Sequence, residues 1–303
     1  MEFFYESWRG IAGRIALYTG VAIVGWLLRV ALHEVFGPDV FADAWRQFID
    51  RYAHQNLPVV GGWTVMMLTY WLFGLTMLFV DITNKPRWLW ERKYQKSKAY
   101  SFWGSAYNPP LWKMVALVLF NQFFIFLPGY WLMEWASLNT DLLPWRTGIR
   151  IERELPSSLE MAVTFSIAVL IEEFLFYYSH WVMHTRFFYA NVHKIHHSYK
   201  APHALASLYA HPFEAFFANL IAMNLPLFIC NFHLLTFYLA INLGWMSSLI
   251  GHSGYNIPLL SLFIPKHDFH DLHHERFEGN YGTAGWLDYM LGTVIKPNKD
   301  DVV

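Results

Sequence analysis

Imidazole side chains are the residues of this chain whose type and spacing can do chemistry. Thirteen of the 15 histidines fall between His180 and His274, and eight of them form three short groups. His180 and His184 stand four residues apart in HWVMH; His193, His196 and His197 make up HKIHH; His270, His273 and His274 make up HDLHH, with the same i, i+3, i+4 spacing. On a helix, residues three or four apart share a face with Cβ atoms about 5 to 6 Å apart, so each group can aim its rings at one region. A solitary histidine is more often a core or surface residue than a ligand. Three one-sided groups are a different matter, because together they can supply two metal ions with about four nitrogens each. Imidazole suits iron, zinc and copper alike, so ligand type alone does not name the metal.

Other residues are candidates around this constellation. His252, in GHSGYNIP, lies where a returning helix would deliver it beside the three groups and is an expected ligand. His211, in HPFE, is either a ligand or a hydrogen-bonding partner behind the ligands. His203 and His267 are expected in that supporting role, whereas His33, His54 and His233 fall outside the constellation and are read as structural. Glu172 and Glu173 sit within an apolar run just ahead of His180. An ionisable residue inside a membrane span is costly and by default marks function. A carboxylate there can accept the second ring N–H of a ligating histidine and fix its tautomer, or the pair can sit in water at the interface. Asp271, with Asp268 beside it, is assigned the same supporting role, and Asp288, in WLDYMLGT, is expected to cap or anchor a C-terminal helix.

The elements that must position these residues are apolar helices. Of 303 residues, 55% are hydrophobic and 15% charged, too apolar a balance for a soluble domain, in which charged residues run near a quarter. The 15 Trp and 17 Tyr suit long contact with a membrane interface. A formal charge of −1 offers no electrostatic basis for capturing nucleic acid. Cys230 is the only cysteine, so there is no intrachain disulfide and no cysteine-based zinc or iron–sulfur site. Four runs, 11–31, 59–82, 111–133 and 159–178, approach the roughly 20 residues needed to cross a bilayer as helix. Residues 1–9 carry Glu2 and Glu6 and no small-residue cleavage site, so the first run is expected to stay as a signal anchor. A further block, 213–250, is interrupted near Pro226 and at residues 230–233 and reads as a helical hairpin of short spans or a re-entrant pair. The expected fold is an all-α membrane protein of four transmembrane helices plus this hairpin, capped by a cytosolic histidine-rich helical region. Residues 1–155 form its N-terminal transmembrane part and 156–303 the part that holds the histidines.

Orientation follows from basic residues in short loops. Lys85, Arg87, Arg92, Lys93, Lys96 and Lys98 face the single acid Glu91 between the second and third runs, which makes that loop cytosolic. The loop around Asp39, Asp43 and Asp50 is then lumenal; Arg146, Arg150 and Arg153 conflict mildly, partly offset by Glu152 and Glu154. The fourth run ends on the cytosolic side and leads directly into the histidines. A pair of metals there, in reach of cytosolic reductases and screened from water by apolar walls, suits O₂-dependent attack on an aliphatic C–H bond.

The order HxxxH, HxxHH, HxxHH, with its spans and hairpin, resembles the fatty acid hydroxylase superfamily, which includes 4-methylsterol monooxygenases, sterol C5-desaturases, cholesterol 25-hydroxylase and fatty acid 2-hydroxylases. The similarity is strongest over about 172–293, and NVHKIHHSYKAP, HPFE, GHSGYNIP, HDFHDLHH and GNYGTAGWLDYMLGT are closest to the 4-methylsterol monooxygenase branch. The resemblance implies two iron ions, O₂ as oxidant, cytochrome b5 or its NAD(P)H reductase as electron source, a sterol substrate oxidised at a 4-methyl group, and the endoplasmic reticulum membrane. No HPGG-like haem-binding segment occurs, so the electron donor is expected to be a separate protein. Sterol desaturation and fatty-acyl or sphingolipid hydroxylation are alternatives within the same chemistry. A non-catalytic membrane scaffold holding zinc, which has no redox chemistry, is the alternative from another class.

Overall fold

The computed structural model describes residues 40–96, 103–105, 108–139, 145–257 and 268–295. The expected first span, 11–31, lies outside them. Among the described residues the protein is helical, and its only extended pairings are two isolated bridges, Lys93 to Tyr255 and Arg150 to His233. The principal helices are α1 (Val40–Tyr52), α2 (Leu57–Thr83), α3 (Leu111–Asn139), α4 (Ser158–Met183), α5 (Pro212–Ile229), α6 (Leu234–Ser253), α7 (Asp268–Arg276) and α8 (Trp286–Leu291).

Local chemistry sets where these helices begin and end. The Asn56 side chain accepts from the Val59 N–H to start α2, and the Ser157 hydroxyl accepts from the Glu160 N–H to start α4. Two histidines serve the same purpose: His211 Nδ1 accepts from the Phe213 N–H ahead of α5, and His233 Nδ1 from the Leu235 N–H ahead of α6. The turn at Cys230 to Phe232, with Asn231 at φ 51°, separates α5 from α6 and makes them the expected hairpin. α6 stops at Gly254, whose φ of 70° suits glycine.

Four helices, α2, α3, α5 and α6, are long and apolar enough to cross a membrane. α4 has 26 residues, about 39 Å of helix, but Glu160, Glu172 and Glu173 leave it outside that set by composition. Its outer stripe nevertheless matches theirs. Leu159, Val163, Ile167, Leu170, Phe174, Tyr178 and Trp181 are exposed, as are Leu68, Leu72, Leu75, Phe79 and Ile82 along α2. Stripes of this length are untenable in water and suited to lipid, so the protein is a multi-pass membrane protein whose α4 turns its acids inward.

Lipid tails are as apolar as leucine, so helices in a bilayer associate through close packing and hydrogen bonds. α6 runs along α2, α5 against α4, and one core draws on residues from both sides of position 155. Asn242 donates to the Thr69 hydroxyl at 2.8 Å, the Tyr238 hydroxyl to the Leu57 carbonyl at 2.8 Å, and the Tyr130 hydroxyl to Asn224 at 2.9 Å. The buried segment 204–210 crosses beneath the histidines. Tyr70 donates to the Leu205 carbonyl, and Asn121 to the carbonyls of Leu208 and Ala210. At the opposite end of the bundle, Arg150 pairs with Glu152 and Glu160, and Arg153 with Asp50.

Gly74 lets α2 approach this buried segment, because a Cβ there would collide with the Leu205 side chain. Gly74→Ala is expected to cost about 1 to 3 kcal/mol through overpacking, since Leu205 is fully buried and has nowhere to go. Gly251→Ala, whose Cβ would meet nothing within 4 Å, is expected to be neutral or to stabilise by up to about 1 kcal/mol. Thermal unfolding of the two variants in detergent checks the contrast.

Candidate metal centre

Among the described residues, nine histidines converge at one end of the bundle in two groups. His180, His184, His193, His197 and His273 form the first, and His196, His252, His270 and His274 the second; within each, the ring nitrogens that could hold an ion lie within 4.8 Å of one another. The three groups legible in the sequence do not map onto these two. From each HxxHH stretch the i and i+4 rings go to one group and the i+3 ring to the other: His193 and His197 against His196, His270 and His274 against His273. Positions i+3 and i+4 stand about 100° apart around a helix, so a single turn straddles both groups where a single face had been expected. His180 and His184, at the end of α4, complete the first group, and His252, in the last turn of α6, completes the second.

Hydrogen bonds behind the rings fix their tautomers. Nδ1 faces a backbone carbonyl in His180 (Tyr281, 2.7 Å), His196 (Tyr209, 3.3 Å), His252 (Ser248, 2.8 Å), His273 (Gly279, 2.6 Å) and His274 (Tyr199, 3.1 Å). In His193, Nδ1 faces the Glu214 carboxylate at 2.8 Å. A carbonyl only accepts, so Nδ1 carries the proton and Nε2 presents a bare lone pair. The Nε2 atoms of these rings meet one another and those of His184, His197 and His270: they lie 2.9 Å apart in His193 and His197, 3.0 Å in His184 and His193, and 3.1 Å in His197 and His273. In the second group the separations are 2.9 Å for His252 and His270, 3.1 Å for His270 and His274, and 3.2 Å for His196 and His252.

Facing lone pairs, as in His196 and His252, repel at this distance unless a cation lies between them. Protons are a poor choice of cation here. Burial, and then the neighbouring rings, hold His193, His196, His197, His270, His273 and His274 well below the ordinary histidine pKa, and burial lowers His184 to about 3. A metal ion fits. Two imidazole nitrogens bound at right angles about 2.1 Å from one ion lie about 3 Å apart, the spacing seen in both groups. Neutral rings with unprotonated Nε2 are also the form in which histidine ligates.

Other expected site residues fall elsewhere. His211 belongs to neither group and caps α5. His203 is buried against the Tyr199 ring, and Asp271 accepts from Gln95 at 2.9 Å, which ties the segment after α2 to α7. His267 lies outside the described residues. Glu172 and Glu173 face the loop ahead of α8. Glu173, fully buried, accepts from the Thr283, Ala284 and Gly285 N–H groups at 2.8, 2.6 and 3.0 Å and from the Thr283 hydroxyl, which Glu172 also reaches. Asp288, whose burial raises its pKa to about 6, accepts from the Tyr281 and Gly282 N–H groups, both at 2.7 Å, so it anchors the loop ahead of α8. Gly282 is wedged between the Glu173 and Asp288 carboxylates. This acidic bracket holds the loop whose Tyr281 carbonyl orients His180, so its effect on the rings is one link removed.

The residue that does accept a ring N–H is Glu214, which sequence reasoning passed over. The signal was available in HPFE: a carboxylate three residues after His211, at the mouth of an apolar helix, where an ionisable group needs a partner.

Comparison with known proteins agrees with this site. A fatty acid hydroxylase family model matches residues 165–293, a stretch containing all nine clustered histidines. Methylsterol monooxygenase 1 of Rattus norvegicus is 30% identical over 266 residues, covering 84% of each chain. Fatty acid hydroxylase domain-containing protein 2 of Homo sapiens is 35% identical over 239 residues, covering 77% of this chain and 66% of that protein. The chain thus aligns with just under two thirds of the human relative's length. Methylsterol monooxygenase 2-2 of Arabidopsis thaliana is 29% identical over 259 residues, covering 82% of this chain and 90% of the relative. No solved structure matches the chain. A multi-pass helical bundle ending in two clusters of neutral imidazoles is the class that fold and site define. The chain belongs to the fatty acid hydroxylase family.

Glu214→Leu removes the carboxylate that accepts from His193 and is expected to weaken metal retention by about 10- to 100-fold in a chelator competition, with Glu214→Gln intermediate. A pH dependence follows as well. Rings whose folded pKa lies below the ordinary value of about 6.5 bind fewer protons folded than unfolded, so their contribution to stability is complete above that pH and is lost as pH falls. The unfolding temperature of metal-free protein is expected to drop between pH 7.5 and pH 5; an unchanged or rising value would contradict the burial of neutral rings.

Proposed function

We propose that this protein is a di-iron lipid monooxygenase that hydroxylates a sterol, most specifically a 4-methyl group. In this reading His180, His184, His193, His197 and His273 hold one iron, and His196, His252, His270 and His274 the other, while Glu214 and the carbonyls behind the rings set their tautomers. The observation that carries it is the convergence of histidine Nε2 atoms at 2.9 to 3.2 Å in a buried site that resists protonation. Iron, when bound, supplies the electrons and open coordination needed to activate O₂. One oxygen atom enters the C–H bond and the other leaves as water, with two electrons and two protons drawn from the donor.

The protein's own contribution is positioning and exclusion of water. Tyr281 lies 5.1 Å from His184 between ring centroids, and Phe277 lies 5.3 Å from His197, so aromatic walls flank the first group. A lipid substrate accords with the membrane-spanning bundle and with relatives named methylsterol monooxygenase. The segment rich in Lys85, Arg87, Arg92 and Lys96 lies at the histidine end, where the Tyr94 N–H donates to the Gly254 carbonyl at 2.9 Å. That placement supports a cytosolic site in the endoplasmic reticulum membrane, served by a separate cytochrome b5 or its NAD(P)H reductase. Residues 156–303 form the catalytic part and 1–155 its transmembrane support.

The test is reconstitution of the purified full chain with iron under anaerobic conditions, followed by reductant, isotopically heavy O₂ and a 4-methylsterol. A sterol product carrying one heavy oxygen is expected, and its loss in His252→Ala. Zinc in both groups with no O₂ uptake in the iron-loaded protein would support the scaffold reading instead.

A further inference from the structure

A cavity of about 420 Å³ lies between the second half of α4 and the first half of α5, away from the ring nitrogens. Its volume falls within the roughly 300 to 1,000 Å³ of small-molecule sites. Phe174, Phe213 and Phe217 line it and are also among the exposed side chains of these helices. In a bilayer that opening faces lipid. The polar residues of its wall are Tyr178 and Ser179, and the Ser179 hydroxyl is already bonded to the Phe176 carbonyl at 3.1 Å. The cavity therefore suits hydrocarbon and has little to offer a polar ligand.

Its inner wall is informative. Met183 and Phe188 line the cavity, and Met183 packs with Val192 and Ala218 in a small buried cluster separate from the main core, with Phe188 against it. Met183 immediately precedes His184, Val192 immediately precedes His193, and Ala218 lies about one turn beyond Glu214, the partner of His193. The apolar cluster on this side of the lipid-facing cavity is thus built from immediate chain neighbours of two ligands of the first histidine group. Methionine, unbranched with three rotatable bonds, is the side chain best able to yield there.

We propose that this cavity is a lateral binding site for the apolar body of a membrane lipid, admitted from the bilayer between α4 and α5, and that Met183 limits how far the bound lipid advances toward the rings. The occupant is one lipid molecule, because the cavity opens on the hydrocarbon-facing side of two helices and presents walls that are mostly aromatic and aliphatic. The proposal rests on the lipid-oxygenase reading for its purpose, but lipid binding can be measured without turnover.

The experiment places the full chain in nanodiscs containing a photoactivatable sterol or, separately, a photoactivatable fatty acid, and maps the labelled peptides by mass spectrometry. Labelling is expected to concentrate on 174–188 and 213–222. Ser179→Phe and Phe217→Trp, which add bulk to the cavity, are expected to reduce it about tenfold with metal content unchanged. Label spread evenly over outward faces such as that of Leu68, Leu72 and Leu75, or unaffected by both variants, overturns the proposal even if the wild type oxidises lipid. Label confined to the cavity in a protein that makes no oxidised lipid upholds the binding site and removes the oxygenase reading instead.

Discussion

Everything at the histidine end depends on mutual repulsion among imidazole lone pairs. Nine rings from four stretches of chain each turn a nitrogen inward, and six of them hold a proton-bearing Nδ1 against an acceptor behind the ring. Such an arrangement is unfavourable by itself: it concentrates electron density in a site whose burial resists protonation. It becomes favourable when metal cations occupy the two foci. Binding free energy is then folding free energy, because the unfolded chain offers no preformed site.

The surroundings serve that constraint. Backbone carbonyls at Tyr199, Tyr209, Ser248, Gly279 and Tyr281 each hold one ring in its tautomer, so the conformation of several loops matters as much as the histidines themselves. The loops are held in turn. Glu173 and Asp288 gather the N–H groups of 281–285, and Gln95 reaches Asp271 on α7. Lys93 pairs with buried Asp81, which also accepts from the Tyr255 hydroxyl at 2.7 Å, beside the end of α6 that carries His252. Ionised groups are costly near a bilayer core, and each of these is paired or surrounded by donors.

Much of this was legible in the sequence because its signals are local and periodic. Spacing of three and four residues marks the histidine stretches whatever the rest of the chain does, and apolar runs of membrane-spanning length mark α2, α3 and the α5–α6 hairpin. The division of each HxxHH stretch between two foci was not legible, because it depends on how α7 and the 193–198 segment are rotated relative to α4 and α6. The partners of Glu173 lie more than 100 residues away and cannot be paired from sequence, which leaves a ring N–H and interfacial water equally open where the structure has it holding a loop. His211 was ambiguous for a different reason: a histidine preceding proline at a helix start looks alike as cap or ligand, and only the Phe213 N–H distinguishes them. Glu214 was overshadowed by the histidine beside it.

The central claim is that two metal ions occupy the two foci, and native mass spectrometry of the full chain purified without chelators tests it most directly. Two transition-metal ions per chain are predicted, falling to one when His274 is replaced by alanine. A folded, monodisperse chain carrying no metal, or one whose metal content is indifferent to His274, would contradict the account.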